Sequence, residues 1–431
     1  MNSMNLIDNG CQETPDLAKG IVFALDISKK EIVYRICRIQ TSSLPITVNQ
    51  TMNGFKQIET EINKWRKNGY DIWVGYEPTG PYSCGIIEFL MGIGCRIAQI
   101  NPKHTSMFND IRDNKQGKTD PRDTNGIGCL IWQGCYRKPV HLTGTYAELR
   151  TISAEWLAAS VDGARLRNQL YSAIELWYPE LGMVYADKLC QNARAIIRKY
   201  RTAEEIAKAG EKKVKSTLKK VTGGRYANRA EELVRLASDS RALKSSQETR
   251  YQMILDLLDR FDLIEKQQKY MLKKMESLLG NIPESKYILS VKGIGVVTAA
   301  FLIGECGNIG NYSMEQLEKL VGLNLYEYSS GQHKGKQHIS KGGRSALRYA
   351  VCMVATCMTS RNGIYHDVAE EMRARGMNFG QIRIAVARKL LRLISALVRK
   401  KEFFDLERFV ARRKTVDDPL TRQDARIQKN A

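Results

Sequence analysis

The chain has 431 residues, more than one ordinary domain holds at about 100–200 residues each, so two to four folded units are expected. Sixty-seven Lys and Arg against 46 Asp and Glu leave a net charge of +21, and 43% of the residues are apolar. That composition excludes a mainly disordered chain and favours a nucleic acid over a small metabolite as partner. Ten cysteines form no CxxC pair, so neither a zinc ribbon nor a disulfide scaffold is indicated, and they read as reduced thiols in a cytoplasmic protein. Residues 1–19 are polar with no signal-peptide pattern, and no apolar run approaches the ~18 residues of a membrane span.

In chain order, residues 20–27 (GIVFALDI) are an apolar strand pattern reaching Asp26, and residues 31–39 a second, β-branched one, together a hairpin. Residues 72–76 (IWVGY) are a short buried strand closed by Glu77-Pro78-Thr79-Gly80. A helical pattern through Ile86, Phe89 and Leu90 and a third apolar strand over 95–100 follow. Strands alternating with helices assign residues 20–145 to an α/β domain with a mixed sheet. From Tyr146 the spacing turns helical through Leu149, Ile152, Trp156, Leu166, Leu170 and Ile174. A second helical stretch carries Ile254, Leu257, Phe261, Ile264, Met271, Met275 and Leu278, with Gln268 as the one polar member of a heptad seam. That seam fits either a helical hairpin within one chain or a coiled coil between chains. Between the two stretches, residues 191–230 hold twelve Lys and Arg against three acids. Lys212, Lys213, Lys219 and Lys220 belong to this excess, which fits a solvated face or a phosphate backbone. Residues 290–305 form an apolar helix entered through Gly293-Ile294-Gly295, residues 382–398 a buried helix, and residues 404–431 a charged tail.

Four carboxylates of the first domain are candidates for chemistry. Asp26 and Glu77 end strands, and Asp120 and Asp123, three apart, share a helix face. Such a set can hold hard divalent ions such as magnesium, and two ions can stabilise the entering and leaving oxygens of a phosphoryl displacement. Asp120 before Pro121 equally fits an ordinary N-cap with proline at the first helical position, Asp26 a turn cap, and Glu77 a surface residue.

Residues 328–344 (YSSGQHKGKQHISKGGR) set Ser329 and Ser330 beside Lys334, Lys336, Lys341 and Arg344, with Arg348 following. A serine hydroxyl needs a base, a metal or a dense positive field to attack phosphorus. The field is present, but the same composition suits a loop that only binds phosphate. Gly293 and Gly295 fit a helix-hairpin-helix turn that grips phosphate through backbone N–H groups, or a plain glycine cap between helices.

Asp26-Ile27-Ser28-Lys29, Glu77-Pro78-Thr79-Gly80 and Lys118-Thr119-Asp120 with Asp123 resemble the quartet of the DEDD transposases of the insertion sequence 110 family, which includes pilin-gene invertases. In the same order as in that family come Gly293-Ile294-Gly295 with Thr298-Ala299, Gly322-Leu323, Ser330-Gly331, Ile339-Ser340-Lys341-Gly342-Gly343 and Leu347-Arg348. The resemblance spans about residues 20–180 and 285–400. It implies a RuvC-like, ribonuclease-H-type α/β domain at 20–145, an all-α coiled-coil region at 146–285, and a mainly helical transposase domain at 286–403. It also implies that Asp26, Glu77, Asp120 and Asp123 bind magnesium, with two ions expected, and that Ser330 forms a covalent phosphoserine link to DNA. The implied partners are donor and target DNA, a non-coding bridge RNA from the same element that base-pairs with both, and further copies of the chain. Members act as dimers and tetramers, the serine of one subunit completing the metal site of another.

Two positions depart from the family pattern. Thr124 stands where alanine is usual, and the tandem Ser329-Ser330 leaves the nucleophile open by one position. The basic stretch near 191–230 exceeds the family's spacer and has no inherited role; contact with the guide RNA is the expectation for it. Three functions follow: a transposase using quartet and serine, a RuvC-like nuclease using metal-activated water, and a non-catalytic nucleic-acid scaffold. The location expected is the cytoplasm, on the nucleoid.

Overall fold

The GIVFALDI run forms strand β1 (Gly20–Ile27), whose alternate residues enter two different cores. Ile21, Phe23, Leu25 and Ile27 pack on one face, and Val22 and Ala24 on the other. A strand buried on both faces reads as a continuous apolar run, which explains its sequence. The computed structural model describes residues 13–113, 120–139, 142–223, 227–327, 329–330, 333–334 and 338–417. They fall into two compact units that divide between residues 141 and 142.

In the first unit β1 turns at Ser28, whose hydroxyl donates to the Glu31 carbonyl at 2.9 Å, into antiparallel β2 (Glu31–Cys37). Strand β3 (Ile46–Asn49) extends the sheet, and helix α1 (Met52–Lys67) starts at a Thr51 cap that accepts from the Gly54 N–H. Strand β4 (Asp71–Tyr76) returns parallel to β1. Helix α2 (Tyr82–Gly92) follows, then β5 (Arg96–Gln99), parallel to β4. The strand order is β3-β2-β1-β4-β5, the mixed sheet that the sequence predicts. Helices α1 and α2 cover one face; α3 (Pro102–Asp113) and α4 (Asp120–Trp132) pack together, and α4 covers the other.

The second unit is built on two long antiparallel helices, α5 (Gly144–Trp177) and α10 (Gln247–Gly280). Between them in sequence come α6 (Leu181–Val184), α7 (Gln191–Lys199), α8 (Ala203–Thr222) and α9 (Ala230–Ser238). These pack with Leu166, Leu170 and Ile174 of α5 and Ile254, Leu258 and Phe261 of α10 into one core. At the other end of the pair, Leu149, Met275, Leu278 and Leu279 enter a second core. That core also takes in α11 (Ser285–Leu289), α12 (Val296–Cys306) and α13 (Met314–Val321), and, beyond the loop, α14 (Ser345–Met358), α15 (His366–Ala374) and α16 (Phe379–Lys400). The heptad seam therefore has a partner within the chain: Ile254, Phe261, Met275 and Leu278 are buried, while Leu257, Ile264, Gln268 and Met271 are half-buried. Helix α17 (Leu406–Asp417) lies where a charged tail is expected, with Phe409 against Tyr365 and Phe404. Among the described residues, no helix is long and apolar enough to cross a membrane.

Candidate active site

In the first unit the register sets the levels of the strand ends next to which Asp26 and Glu77 stand. Leu25 of β1 is level with Tyr76 of the parallel β4, so the next step along both strands sets Asp26 beside Glu77. Asp26 continues the side of β1 that carries Val22 and Ala24, the side covered by α4, and Glu77 is the residue that follows the end of β4. Helix α4 runs against β1. A Cβ on Gly20 would meet the Trp132 ring at 2.9 Å, and one on Gly128 would stand 3.8 Å from Ala24 Cβ. The helix start, with Asp120 and Asp123, therefore lies toward the Asp26 end of the strand. Asp123 is one turn before Ile127 on the helix face turned to the sheet, and it is 7% exposed, with fully buried Thr124 next to it. Such depth is uncommon for an aspartate and requires compensating contacts.

Magnesium suits an all-oxygen set of this kind and keeps several waters of its own, so few protein ligands are needed. Among the described residues no three His, Cys, Asp or Glu side chains close into a metal cluster. The Asp120 side chain lies outside the described residues.

In the second unit, the loop after α13 is built from short ladders. Strand β6 (Leu325–Tyr326) pairs with β9 (His338–Ile339), and β7 (Ser329–Ser330) with β8 (His333–Lys334). Ser330 pairs with His333 and Ser329 with Lys334, which puts Ser330 at the last pair of its ladder. The side chains of Ser329, Ser330, His333 and Lys334, and all of Lys336, lie outside the described residues. The loop's two roots are tied down. At the entry the Ser340 N–H donates to the Asn324 carbonyl at 2.9 Å, with a second bond between their side chains. The exit crosses the end of α13 so closely that a Cβ on Gly343 would stand 2.3 Å from the Leu320 carbonyl oxygen.

Arg344 and Arg348, read from the sequence as phosphate contacts, have partners inside the protein. Arg344 donates to the Glu305 carboxylate at 2.9 Å and to the Glu305 carbonyl, and Arg348 donates to the Val321 carbonyl at 3.0 Å. Lys341 is exposed, in a left-handed conformation at φ 52°. Gly293, at φ 100°, turns the chain between α11 and α12, and Gly295 caps α12. The sequence reading missed Glu305, which is 9% exposed. Its signal was an acid ending an otherwise apolar run, a position that calls for a buried cation.

In the basic stretch 191–230 some cations are bonded within the lobe and others are exposed. Arg194 and Arg198 pair with Asp262 at 2.6 Å each, and Arg229 donates to the Val184 carbonyl. Lys212, Lys213, Lys219 and Lys220 are exposed on α8 beyond its kink at Gly210.

A model described as the transposase IS116/IS110/IS902 family matches residues 285–369, and a second transposase model, of the DEDD type of IS110, matches residues 23–179. The chain is 20% identical to the insertion element IS110 uncharacterized 43.6 kDa protein of Streptomyces coelicolor, over 75% of this chain and 82% of that one. It is 21% identical to the insertion element IS116 uncharacterized 44.8 kDa protein of Streptomyces clavuligerus, over 67% of this chain and 73% of the relative. The two matched segments contain all four carboxylates and the serine loop, and they leave residues 180–284 outside both.

Proposed function

We propose, from the premise that this chain belongs to the IS116/IS110/IS902 family of transposases, that it cuts and rejoins DNA with a magnesium-holding carboxylate quartet and a serine nucleophile. The observation that carries this reading is the register that sets Asp26 beside Glu77, beneath the helix start bearing Asp120 and Asp123. These four residues would hold the ion or ion pair, which when bound supplies Lewis-acid stabilisation of charge on the scissile phosphate.

The chain's own groups do the rest. The Ser330 hydroxyl gives up its proton to solvent as its oxygen bonds to phosphorus, the bond from phosphorus to the leaving sugar oxygen breaks, and that oxygen takes a proton from solvent. Attack by another strand's hydroxyl reverses the step and frees the serine, so bond energy is kept for rejoining. The tied roots of the serine loop support this role by limiting where Ser330 can stand. Ser329 remains the neighbouring candidate. Lys341 and the α8 lysines supply exposed positive charge for DNA and for a bridge RNA that sets the target. Gly293 and Gly295 form the turn expected to grip phosphate. Copies of the chain would associate through the α5–α10 pair, whose exposed Val161, Leu263 and Tyr270 leave apolar surface for a second copy. The cytoplasm, on the nucleoid, is the location that suits such substrates.

The test is recombination between donor and target DNA, with magnesium and RNA from the flanks of the element, read on denaturing gels for protein–DNA adducts. An adduct in wild type that disappears in both Asp26→Ala and Ser330→Ala is the expected result. Cutting that survives Ser330→Ala, with no adduct in any lane, would leave a nuclease that uses activated water.

A further inference from the structure

The stripe of α16 that carries Val386 and Leu390 into the core continues to the start of the helix. Phe379 and Arg383 belong to it at helical steps of four, three and four, and there the stripe comes out at the surface. Phe379 is 53% exposed and Arg383 half-buried. Helix α14 packs on α16 and turns its own outer face to the same side. Tyr349 and Met353, one turn apart, are 46% and 47% exposed, with Arg348 and Cys352 next to them on that face. The two helices meet at Cys352. Burial pushes its thiol up, and the Arg383 and Arg348 guanidiniums both act against that shift, so both stand within electrostatic reach of one atom. The Arg383 guanidinium also lies 5.7 Å from the Phe379 ring centroid. These six residues form one surface, in which rings open to solvent stand beside cations.

The charge of this surface is not neutralised from within. Neither α14 nor α16 contains an Asp or a Glu. Glu318, which α13 brings to α16, is engaged by Arg388 at 2.7 Å and Arg392 at 3.4 Å, on the other side of the helix from Arg383. Among the described residues neither Arg348 nor Arg383 pairs with a carboxylate. Arg348 uses one nitrogen, Nη1, on the Val321 carbonyl at 3.0 Å and the Lys341 carbonyl at 3.4 Å, and both acceptors are uncharged. The second of these bonds joins the surface to the exit of the serine loop.

Uncompensated guanidiniums call for an anion, and exposed rings for a flat apolar partner. A nucleic-acid strand supplies both, since its phosphates take the cations and its bases stack on aromatic side chains. Those bases must be unpaired, because in a duplex their faces are already stacked on one another. We infer that Tyr349 and Phe379 stack unpaired bases of a nucleic-acid strand while Arg348 and Arg383 hold its phosphates; the inference rests on the DNA-acting reading above and adds to it a contact for single strands beside the serine loop.

The test uses the full chain and fluorescence anisotropy with three labelled DNAs: a thymine-rich single strand, an abasic strand of equal length and charge, and a duplex. Tyr349→Ala and Phe379→Ala, both at exposed positions, should each weaken binding of the thymine strand about fivefold or more, the worth of one stacked base. The abasic strand and the duplex should change less than about twofold, since neither offers a free base face. Tyr349→Phe and Phe379→Tyr keep a ring and should bind as wild type does. Arg383→Gln should weaken the thymine and abasic strands alike and make their salt slope shallower by about 0.7. If both alanine variants bind the thymine strand like wild type, the stacking surface is wrong, while duplex binding by wild type leaves the DNA-acting reading standing. A fall in oligomeric state on sedimentation, with strand affinity unchanged, would give the face to a second copy instead. Equal losses on all three DNAs would also overturn the inference. If wild type binds none of the three, both readings are wrong.

Discussion

Gly75 of β4 faces Ile131 of α4 so closely that a Cβ added to the glycine would stand 2.0 Å from the Ile131 Cδ1 and 2.9 Å from the Ile127 Cγ2. This absence of a side chain lets the helix bearing Asp120 and Asp123 settle onto the strand that leads to Glu77. Gly75→Ala should therefore lift α4, at about 1–3 kcal/mol, the usual cost of overpacking a core. Strand cleavage should fall with it, because the Asp123 carboxylate moves with the helix. Ile131→Val removes the Cδ1 that clashes, so the double variant should recover part of both. Urea unfolding of the four proteins together with adduct yield checks this, and additive losses would sink it.

Arg194 of α7 holds Glu265 of α10 in a two-pronged ion pair at 2.6 and 2.9 Å. The guanidinium keeps the Glu265 carboxyl below its ordinary value of 4.5. A carboxyl whose folded pKa is depressed contributes stability above its unfolded value, and that stability is lost as pH falls through the folded one. The helical lobe should accordingly weaken below about pH 4.5, and Glu265→Gln should flatten that acid limb. At neutral pH Arg194→Ala should cost about 2 kcal/mol, and Arg194→Lys should recover only part, because an ammonium cannot reproduce the fork. Circular dichroism melts across pH measure both.

Neither of these two pairs is legible in the sequence, although some of the elements that carry them are. β1 announced itself because both of its faces are buried, and α16 because Ile382, Val386, Leu390 and Ile394 recur at helical spacing. Short β3 and the amphipathic α1 went unread, although Phe55, Ile58 and Ile62 carry the period. A count of charge could not tell the bonded cations of the basic stretch, such as Arg194 and Arg198, from the exposed Lys212, Lys213, Lys219 and Lys220. The acids that hold Arg194 and Arg198, Asp262 and Glu265, lie more than sixty residues away and meet them only through helix packing. Asp26 and Glu77 were legible as strand-end carboxylates, but their shared level depends on a parallel register that neither segment states alone.

Glu305 accepts from Arg344 at 2.9 Å and lies 3.8 Å from Arg150, so one buried carboxylate ties the exit of the serine loop to α12 and α5. Glu305→Ala would leave Arg344 partly buried without its counter-charge, at about 2–3 kcal/mol. The functional consequence should be selective. Covalent adduct should fall more than tenfold, because the loop root slackens, while affinity for DNA changes less than twofold. Equal losses in adduct and affinity would reduce Glu305 to a general stabiliser.

The exposed lysines of α8 make a separate claim about electrostatics. Each phosphate contact releases counterions on binding, so affinity falls with salt at a log–log slope of about −0.7 per contact on a single strand and −0.9 on duplex DNA. Replacing Lys212, Lys213, Lys219 and Lys220 together by Gln should make that slope shallower by about three. The change should appear for every sequence tested, because phosphate contacts hold a strand without reading it. Arg194→Gln removes charge from the same stretch but should leave the slope unchanged, since that guanidinium is already neutralised by Asp262 and Glu265. Anisotropy titrations across a salt series, with the element's own RNA, separate the two. A slope that Arg194→Gln alters as much as one lysine does would mean that total charge, and not the lysine face, governs binding.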